Sequence, residues 1–292
     1  MEAQELLKRI RKIDIHARGL TQNIFAGEYH SAFKGKGMMF SEVRNYQFGD
    51  EIRNIHWKVT ARYNQPYIKE FEEERELTVM LLIDVSGSSN FGTKKQFKRD
   101  QIVEIAAVLA FSAIENNDKI GVLFFSDIIE KYIPPKKGKK HILFIIRELI
   151  NFEPSHNKTN LTNVLKHLTN GVKKKCTAFL ISDFMADEFE NALMIASRKH
   201  DLVALQIYDG LEKELPAIGL IQLKDAETNE KIWINTSRRS VRKHYADKWK
   251  TKQKKIKKLF AKANTDLISM NTEEDFVPKL KELFKMRVRS YR

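Results

Sequence analysis

The sequence has a single cysteine, Cys176, so no internal disulfide is possible and a reducing compartment is expected. No apolar run approaches the ~20 residues needed to cross a bilayer. The longest candidate, residues 102–114, is short and carries Glu104. The amino terminus has Glu2 and Glu5 and no apolar h-region, so a secretory signal is not expected and the cytoplasm is the simplest location. Phosphate-cradling and hydrolase motifs are missing as well. There is no Walker A sequence, no G-x-G-x-x-G after a strand and no G-x-S-x-G elbow. The eight histidines form no i,i+4 pair for zinc, and Cys176 precedes an apolar run where it reads as packing.

What remains is an ordinary globular composition: 292 residues, 42% hydrophobic and 31% charged, with a formal net charge of +14. The charge is local. Residues 238–262 hold twelve Lys or Arg against one acid, Asp247, and so carry most of the excess. Val241, Tyr245, Trp249, Ile256, Phe260 and Ala263 recur there at helical spacing. An amphipathic helix with a solvated basic face is therefore expected, and docking of an anionic partner on that face is the alternative.

Residues 1–16 read as a short amphipathic helix, and 17–72 as irregular, rich in glycine and aromatics. From residue 77 strand-like runs alternate with helical patterns. Strands are expected at 77–83 (LTVMLLI), 119–125, 128–133, 177–181, 202–208 and 266–270. Helices are expected at about 95–115, 140–151, 161–170, 188–199 and 276–284. A hairpin is expected over 218–234, joined around Glu227, Thr228 and Asn229, followed by the basic helix. The fold class is α/β: a doubly wound, mostly parallel sheet flanked by helices, with an N-terminal extension and an inserted hairpin plus basic helix at about 216–264. The expected domains are 1–75, packed on the rest, and 76–292.

In such a sheet ligands bind beyond the carboxyl ends of the strands. The first strand ends Asp84-Val85-Ser86-Gly87-Ser88, whose alternation sends Asp84, Ser86 and Ser88 to one side. A carboxylate with two hydroxyls is a small set of hard oxygen donors, suited to Mg²⁺ rather than Zn²⁺. A later strand ends Ile181-Ser182-Asp183 and brings a second carboxylate to the same edge, while the Lys158-Thr159-Asn160 loop offers another hydroxyl.

D-x-S-x-S, a loop threonine and a strand-end aspartate, in this order, resemble the metal-ion-dependent adhesion site of the von Willebrand factor A fold. The resemblance implies that Ser86, Ser88 and Thr159 contact the metal, that Asp84 and Asp183 act largely through water, and that one coordination position awaits a partner's carboxylate. Mn²⁺ or Ca²⁺ would substitute for Mg²⁺. Asn157-Lys158 stand where the pattern often has Gly-Gly, which sets a cation beside the site.

Upstream, the chain matches a G-D-x-x-R-x-I-x-W-x-x-x-A-R stretch through Gly49, Asp50, Arg53, Ile55, Trp57, Ala61 and Arg62, with His56 where Asp is usual. This resembles the bacterial "domain of unknown function 58" family, and the likeness runs on through Leu215-Pro216, Glu227 and Phe284 to Arg287. It implies a non-enzymatic, Mg²⁺-dependent protein-binding module, an adaptor for a MoxR-type AAA+ ATPase in the assembly or maturation of protein complexes. Anionic-surface binding through residues 238–262, to nucleic acid or membrane, and a metal-dependent hydrolase are the alternatives. Read locally, Asp50 caps the turn after Gly49, Arg53 and Arg62 pair with Asp50 or with Glu72, Glu73 and Glu74, and Ile52, Ile55 and Val59 share a face. The stretch is then either a structural brace or, through Gly49, Asp50, Arg53, Trp57, Arg62 and Lys158, a partner-binding surface.

Overall fold

The structure, a computed structural model, describes residues 3–21, 39–72, 77–92, 97–186, 188–224 and 230–290. The Glu73-Glu74 pair and the 227–229 hairpin connection lie outside the described residues. The chain forms two compact units, Met1–Ala32 with Thr78–Arg292, and Phe33–Leu77.

The larger unit begins with helix α1 (Ala3–Leu20), longer than the short helix expected over 1–16. Strand β3 (Thr78–Asp84) follows, then α3 (Lys98–Glu115), β4 (Lys119–Phe125) and β5 (Ile129–Lys136). Helices α4 (Lys139–Asn151) and α5 (Leu161–Gly171) lead to β6 (Thr177–Ser182), α6 (Glu190–Lys199) and β7 (Asp201–Tyr208). A one-turn helix α7 (Gly210–Lys213) precedes the hairpin β8 (Leu220–Lys224) and β9 (Lys231–Asn235). The basic helix α8 (Arg239–Lys262), strand β10 (Asp266–Asn271) and helix α9 (Val277–Ser290) complete the unit.

The central sheet has six strands in the order β10-β7-β6-β3-β4-β5. All neighbours are parallel except the edge pair β4–β5, and β8–β9 form a separate two-stranded sheet. This is the expected doubly wound, mostly parallel sheet flanked by helices, an arrangement consistent with Rossmann-like and von Willebrand factor A-like folds. β3 is buried along its length because both its faces are covered, which is why it reads as an unbroken apolar run. One face packs Met80, Leu82, Ala178, Leu180 and Ala204 against α5, α6 and the inner stripe of α8. In β4, a Cβ at Gly121 would meet Met80 Sδ at 2.8 Å and the Ile133 carbonyl at 2.9 Å, so only glycine allows β5 this close.

α8 is held by Trp249, Ile256 and Phe260, with Phe260 edge-on to Phe184 at 4.9 Å. Val241 and Tyr245, expected on the same stripe, are half-buried, while most of its lysines are exposed. Cys176 lies buried with Sγ 3.2 Å from His200 Nδ1, and burial pushes its thiol up to about 12, so it is packing rather than a nucleophile. Among the described residues no helix is long and apolar enough to cross a membrane.

The smaller unit departs from the irregular coil expected over 17–72. Met39–Asn45 (β1) and Tyr67–Glu72 (β2) pair antiparallel, and the short helix α2 (Trp57–Tyr63) lies between them. Its strands, MFSEVRN and YIKEFE, escape a sequence reading because polar and apolar residues do not alternate strictly along either. Gly49 has φ +107° in its turn, a conformation that favours glycine. Asp50 does not cap the following turn, and neither Arg53 nor Arg62 takes it. Arg44 holds it with two hydrogen bonds of 2.8 and 2.9 Å, and its Oδ2 also accepts from the Gln47 N–H at 2.8 Å. The helix start is capped by His56, whose Nδ1 accepts from the Val59 N–H at 3.4 Å.

The far ends of β7 and β10 are clamped by Arg287 of α9. Its Nε donates to Asp266 at 2.6 Å and its two terminal nitrogens to Asp201 at 2.8 and 2.5 Å. The arginine is buried while both aspartates keep some solvent. Arg287→Met should therefore lower the unfolding free energy by about 1–3 kcal/mol in urea titrations; an unchanged midpoint would show the clamp to be dispensable.

Candidate functional site

Strand order reverses at β3: the chain moves from β3 outwards to β4 and β5, then returns to lay β6 on the other side. The carboxyl ends of β3 and β6 flank that reversal, and they carry Asp84 and Asp183. Both side chains are almost wholly buried, at 3% and 6% exposure. Asp84 Oδ1 accepts from the Ser86 N–H at 3.0 Å and Oδ2 from the Ser182 hydroxyl at 2.6 Å. Asp183 Oδ1 accepts from the Met185 N–H at 3.1 Å, and Ser88 lines the same small cavity as this carboxylate. Ser86 Oγ and Ser88 Oγ lie 3.2 Å apart. Ser88 opens onto a cavity of about 10 Å³ that Asp84, Lys98, Ser182 and Asp183 also line, room for a single water-sized atom.

The loop with Thr159 is tied to this edge at both ends. The Asn157 carbonyl accepts from the Gly87 N–H at 2.9 Å, and the Asn160 N–H donates to Ser126 at 3.0 Å. Thr159 Oγ1 is buried without a hydrogen-bond partner, which normally costs about 1–3 kcal/mol. Lys158 is exposed. The structure thus gathers Asp84, Ser86, Ser88 and Asp183 at one edge, Asp84, Ser88 and Asp183 around the same small cavity, and ties the loop of Thr159 beside them. Gly49, Asp50, Arg53, Trp57 and Arg62 belong to the other unit, where Trp57 is 66% exposed and Arg62 lies over the Tyr63 ring.

Three groups at the cluster escape a sequence reading. Ser182 donates to Asp84, as described. Lys98, the first residue of α3, is buried with Nζ 3.0 Å from Asp183 Oδ2 and 2.7 Å from Glu212 Oε1. Glu212, in α7, is the third carboxylate. The available signal for Lys98 was its place at the start of a helix aimed at the sheet's carboxyl edge, but helix-opening lysines are ordinarily solvated.

The electrostatics follow from burial. Desolvation, reinforced by the neighbouring Asp183 charge, pushes the Asp84 carboxyl up to about 6 against the hydrogen bonds from Ser182 and Ser86. Burial works the same way on Asp183, yet the Lys98 ammonium beside it holds its pKa below the usual carboxylate value. Glu212 is raised by burial in spite of Lys98. The backbone is strained as well: Phe184, next to Asp183, has φ +56° and is buried against Phe189 and Phe260. A non-glycine residue in that region costs on the order of 1–3 kcal/mol and often marks a functional site.

Among the described residues no group of three or more His, Cys, Asp or Glu is placed to hold a metal ion. A cation at this edge would rest on two carboxylates and hydroxyl oxygens. That donor set fits a hard divalent cation. It has an orphaned hydroxyl in Thr159 and an excess of buried negative charge, and it lacks the imidazole or thiolate that zinc prefers.

Residues 42–255 match the family model described as "Protein of unknown function DUF58". The chain belongs to the DUF58 family. This DUF58 chain is 27% identical over 227 residues to the uncharacterized protein Rv1480 of Mycobacterium tuberculosis, covering 77% of this chain and 72% of that one. It is 32% identical over 110 residues to the uncharacterized protein YeaD of Bacillus subtilis, covering 37% of this chain and 25% of that one. Among solved structures, it is similar to the conserved hypothetical protein BatB of Bacteroides thetaiotaomicron, with a TM-score of 0.46 and 12% identity over 73% of this chain and 99% of that one.

A buried carboxylate with a raised pKa opposes folding once it ionises. The folded state binds the Asp84 proton more tightly than the unfolded state does. The cost is therefore absent below about pH 4, grows as pH rises towards about 6, and is complete above that. In EDTA, Asp84→Asn should be more stable than wild type near pH 7.5 by on the order of 1–3 kcal/mol. The gain should shrink to nothing near pH 4 in urea titrations at stepped pH. A variant no more stable than wild type near pH 7.5 would show that Asp84 is fully compensated by its neighbours.

Proposed function

We propose that the chain is a non-enzymatic protein-binding module that engages its partner through a divalent cation. The cation is Mg²⁺, with Mn²⁺ or Ca²⁺ as substitutes, held at the edge formed by Asp84, Ser86, Ser88, Thr159 and Asp183. The observation that carries this reading is the pair of buried carboxylates at the strand-order reversal, Asp84 among hydroxyls with no cation of its own beside Asp183, which shares a single ammonium with Glu212. It also gives the resemblance to a von Willebrand factor A-like domain and its adhesion site a physical basis.

When bound, the cation supplies an acceptor position for a partner's acidic side chain. The protein's own groups prepare that position. Ser182 and the Ser86 N–H orient Asp84, and the Met185 N–H orients Asp183. The exposed Lys158 adds a positive rim that favours an acidic partner. A MoxR-type AAA+ ATPase, or a client it remodels, is the partner class that the family resemblance supports. A hydrolase would need a base against a nucleophile, whereas the Ser86 hydroxyl is turned to the Ser88 hydroxyl.

A second reading has its own observation. The outer side of α8 leaves Lys243, Lys248, Lys250, Lys254, Lys255, Lys257 and Lys258 exposed, a stripe suited to an anionic surface.

Affinity capture from cells separates the two. Capture in Mg²⁺ should retain a partner that is lost in EDTA and lost again with Asp84→Ala, while circular dichroism shows the variant folded. Identical partners for wild type and Asp84→Ala would sink the first reading. Retention that ignores EDTA but falls steeply with salt would favour the second.

A further inference from the structure

A lysine is seldom buried unless carboxylates surround it, and Lys98 is buried at 1% exposure between two of them. Its partners are held by other means. Asp183 keeps the Met185 N–H. Glu212 Oε2 accepts from the Asp209 N–H at 2.9 Å, closing a capping box on α7, while Asp209 accepts from Leu211 N–H and from the Thr272 hydroxyl at 2.9 Å each. Glu212 is therefore anchored whether or not the ammonium also touches Asp183. The ammonium has one fixed partner and one that belongs to the Asp84 cluster.

Counting charge at this edge sharpens the point. Asp84, Asp183 and Glu212 when ionised, with one ammonium, leave two negative charges in a nearly dry site. A divalent cation neutralises that sum. Without Lys98 the deficit would be three, and without Glu212 it would be one.

We propose that Lys98 is a resident counter-cation of the site: it competes with the divalent cation for Asp183, stays on Glu212 when the divalent cation binds, and so sets the affinity of the site. This rests on reading the Asp84–Asp183 edge as a cation site, and it adds a residue that the D-x-S-x-S pattern does not contain. Two charge changes at one ion pair then act in opposite directions. Removing the ammonium leaves Asp183 free for the divalent cation and deepens the negative potential. Removing the Glu212 charge leaves the ammonium on Asp183 alone and makes the site more positive.

The experiment is calorimetric titration of the EDTA-stripped, dialysed 292-residue chain with Mg²⁺ alone, supported by thermal melts with and without Mg²⁺. Relative to wild type, Lys98→Met should bind Mg²⁺ about tenfold or more tighter, and Glu212→Gln about tenfold or more weaker. The melts should follow the same order in their Mg²⁺-induced rise. Lys98→Met leaves two buried carboxylates without their cation. If it fails to fold, Glu212→Gln decides the matter in the opposite direction, and the double variant Lys98→Met/Glu212→Gln supplies a folded protein lacking the ammonium, expected to bind at least as tightly as wild type. Equal affinities within about threefold across wild type and variants would overturn the role of Lys98 while leaving the cation site standing. No heat and no melting shift for any of the proteins would overturn the cation site, and the role of Lys98 with it.

Discussion

The structure is organised around negative charge held out of water. Asp84 and Asp183 end adjacent parallel strands, and each is buried where an ionised carboxylate is costly. Everything near them answers that cost in part: a hydroxyl from Ser182, backbone N–H groups from Ser86 and Met185, and the ammonium of Lys98. The answers are unequal. Asp183 receives a full positive charge and is stabilised as a carboxylate. Asp84 receives dipoles only, and its pKa rises to about 6. The imbalance, rather than the presence of acids, is what the proposed cation would relieve.

That arrangement depends on strand order. With β6 laid beside β3 rather than beyond β5, the two carboxyl ends meet at the reversal, where no crossover helix can fill the space. The elements around the edge are then bound to it. Lys98 opens α3 and Glu212 sits in α7. Lys252 of α8 donates to the Met185 carbonyl just beyond Asp183. Phe184, in its strained conformation, is wedged against Phe260 of α8. The basic helix is thus a support for the site as well as a charged face.

Much of this was legible in residue order. The unbroken run at β3 announced a strand covered on both faces, and D-x-S-x-S at its end announced hard oxygen donors. The spacing of Trp249, Ile256 and Phe260 announced the buried stripe of α8, because helical periodicity is a local property. Strand pairing in 39–72 was not legible, since its stabilising partners lie 22 to 33 positions apart and its turns interrupt any period. The pairing of Asp50 with Arg44 rather than Arg53 or Arg62 has the same origin: which arginine reaches it depends on how the two strands and their turn fold back.

The amino-acid sequence by itself determined the fold class, the edge on which Asp84, Ser86, Ser88 and Asp183 fall, and the amphipathic character of α8, all consequences of short-range alternation and hydrophobic spacing. Only the tertiary structure decided what compensates the buried charge. Lys98 meets Asp183 across 85 positions and Glu212 across 114. A lysine at a helix start carries no local mark that it will be buried rather than solvated. Long-range ion pairs are chosen by packing, and packing exists only once the sheet has closed around them.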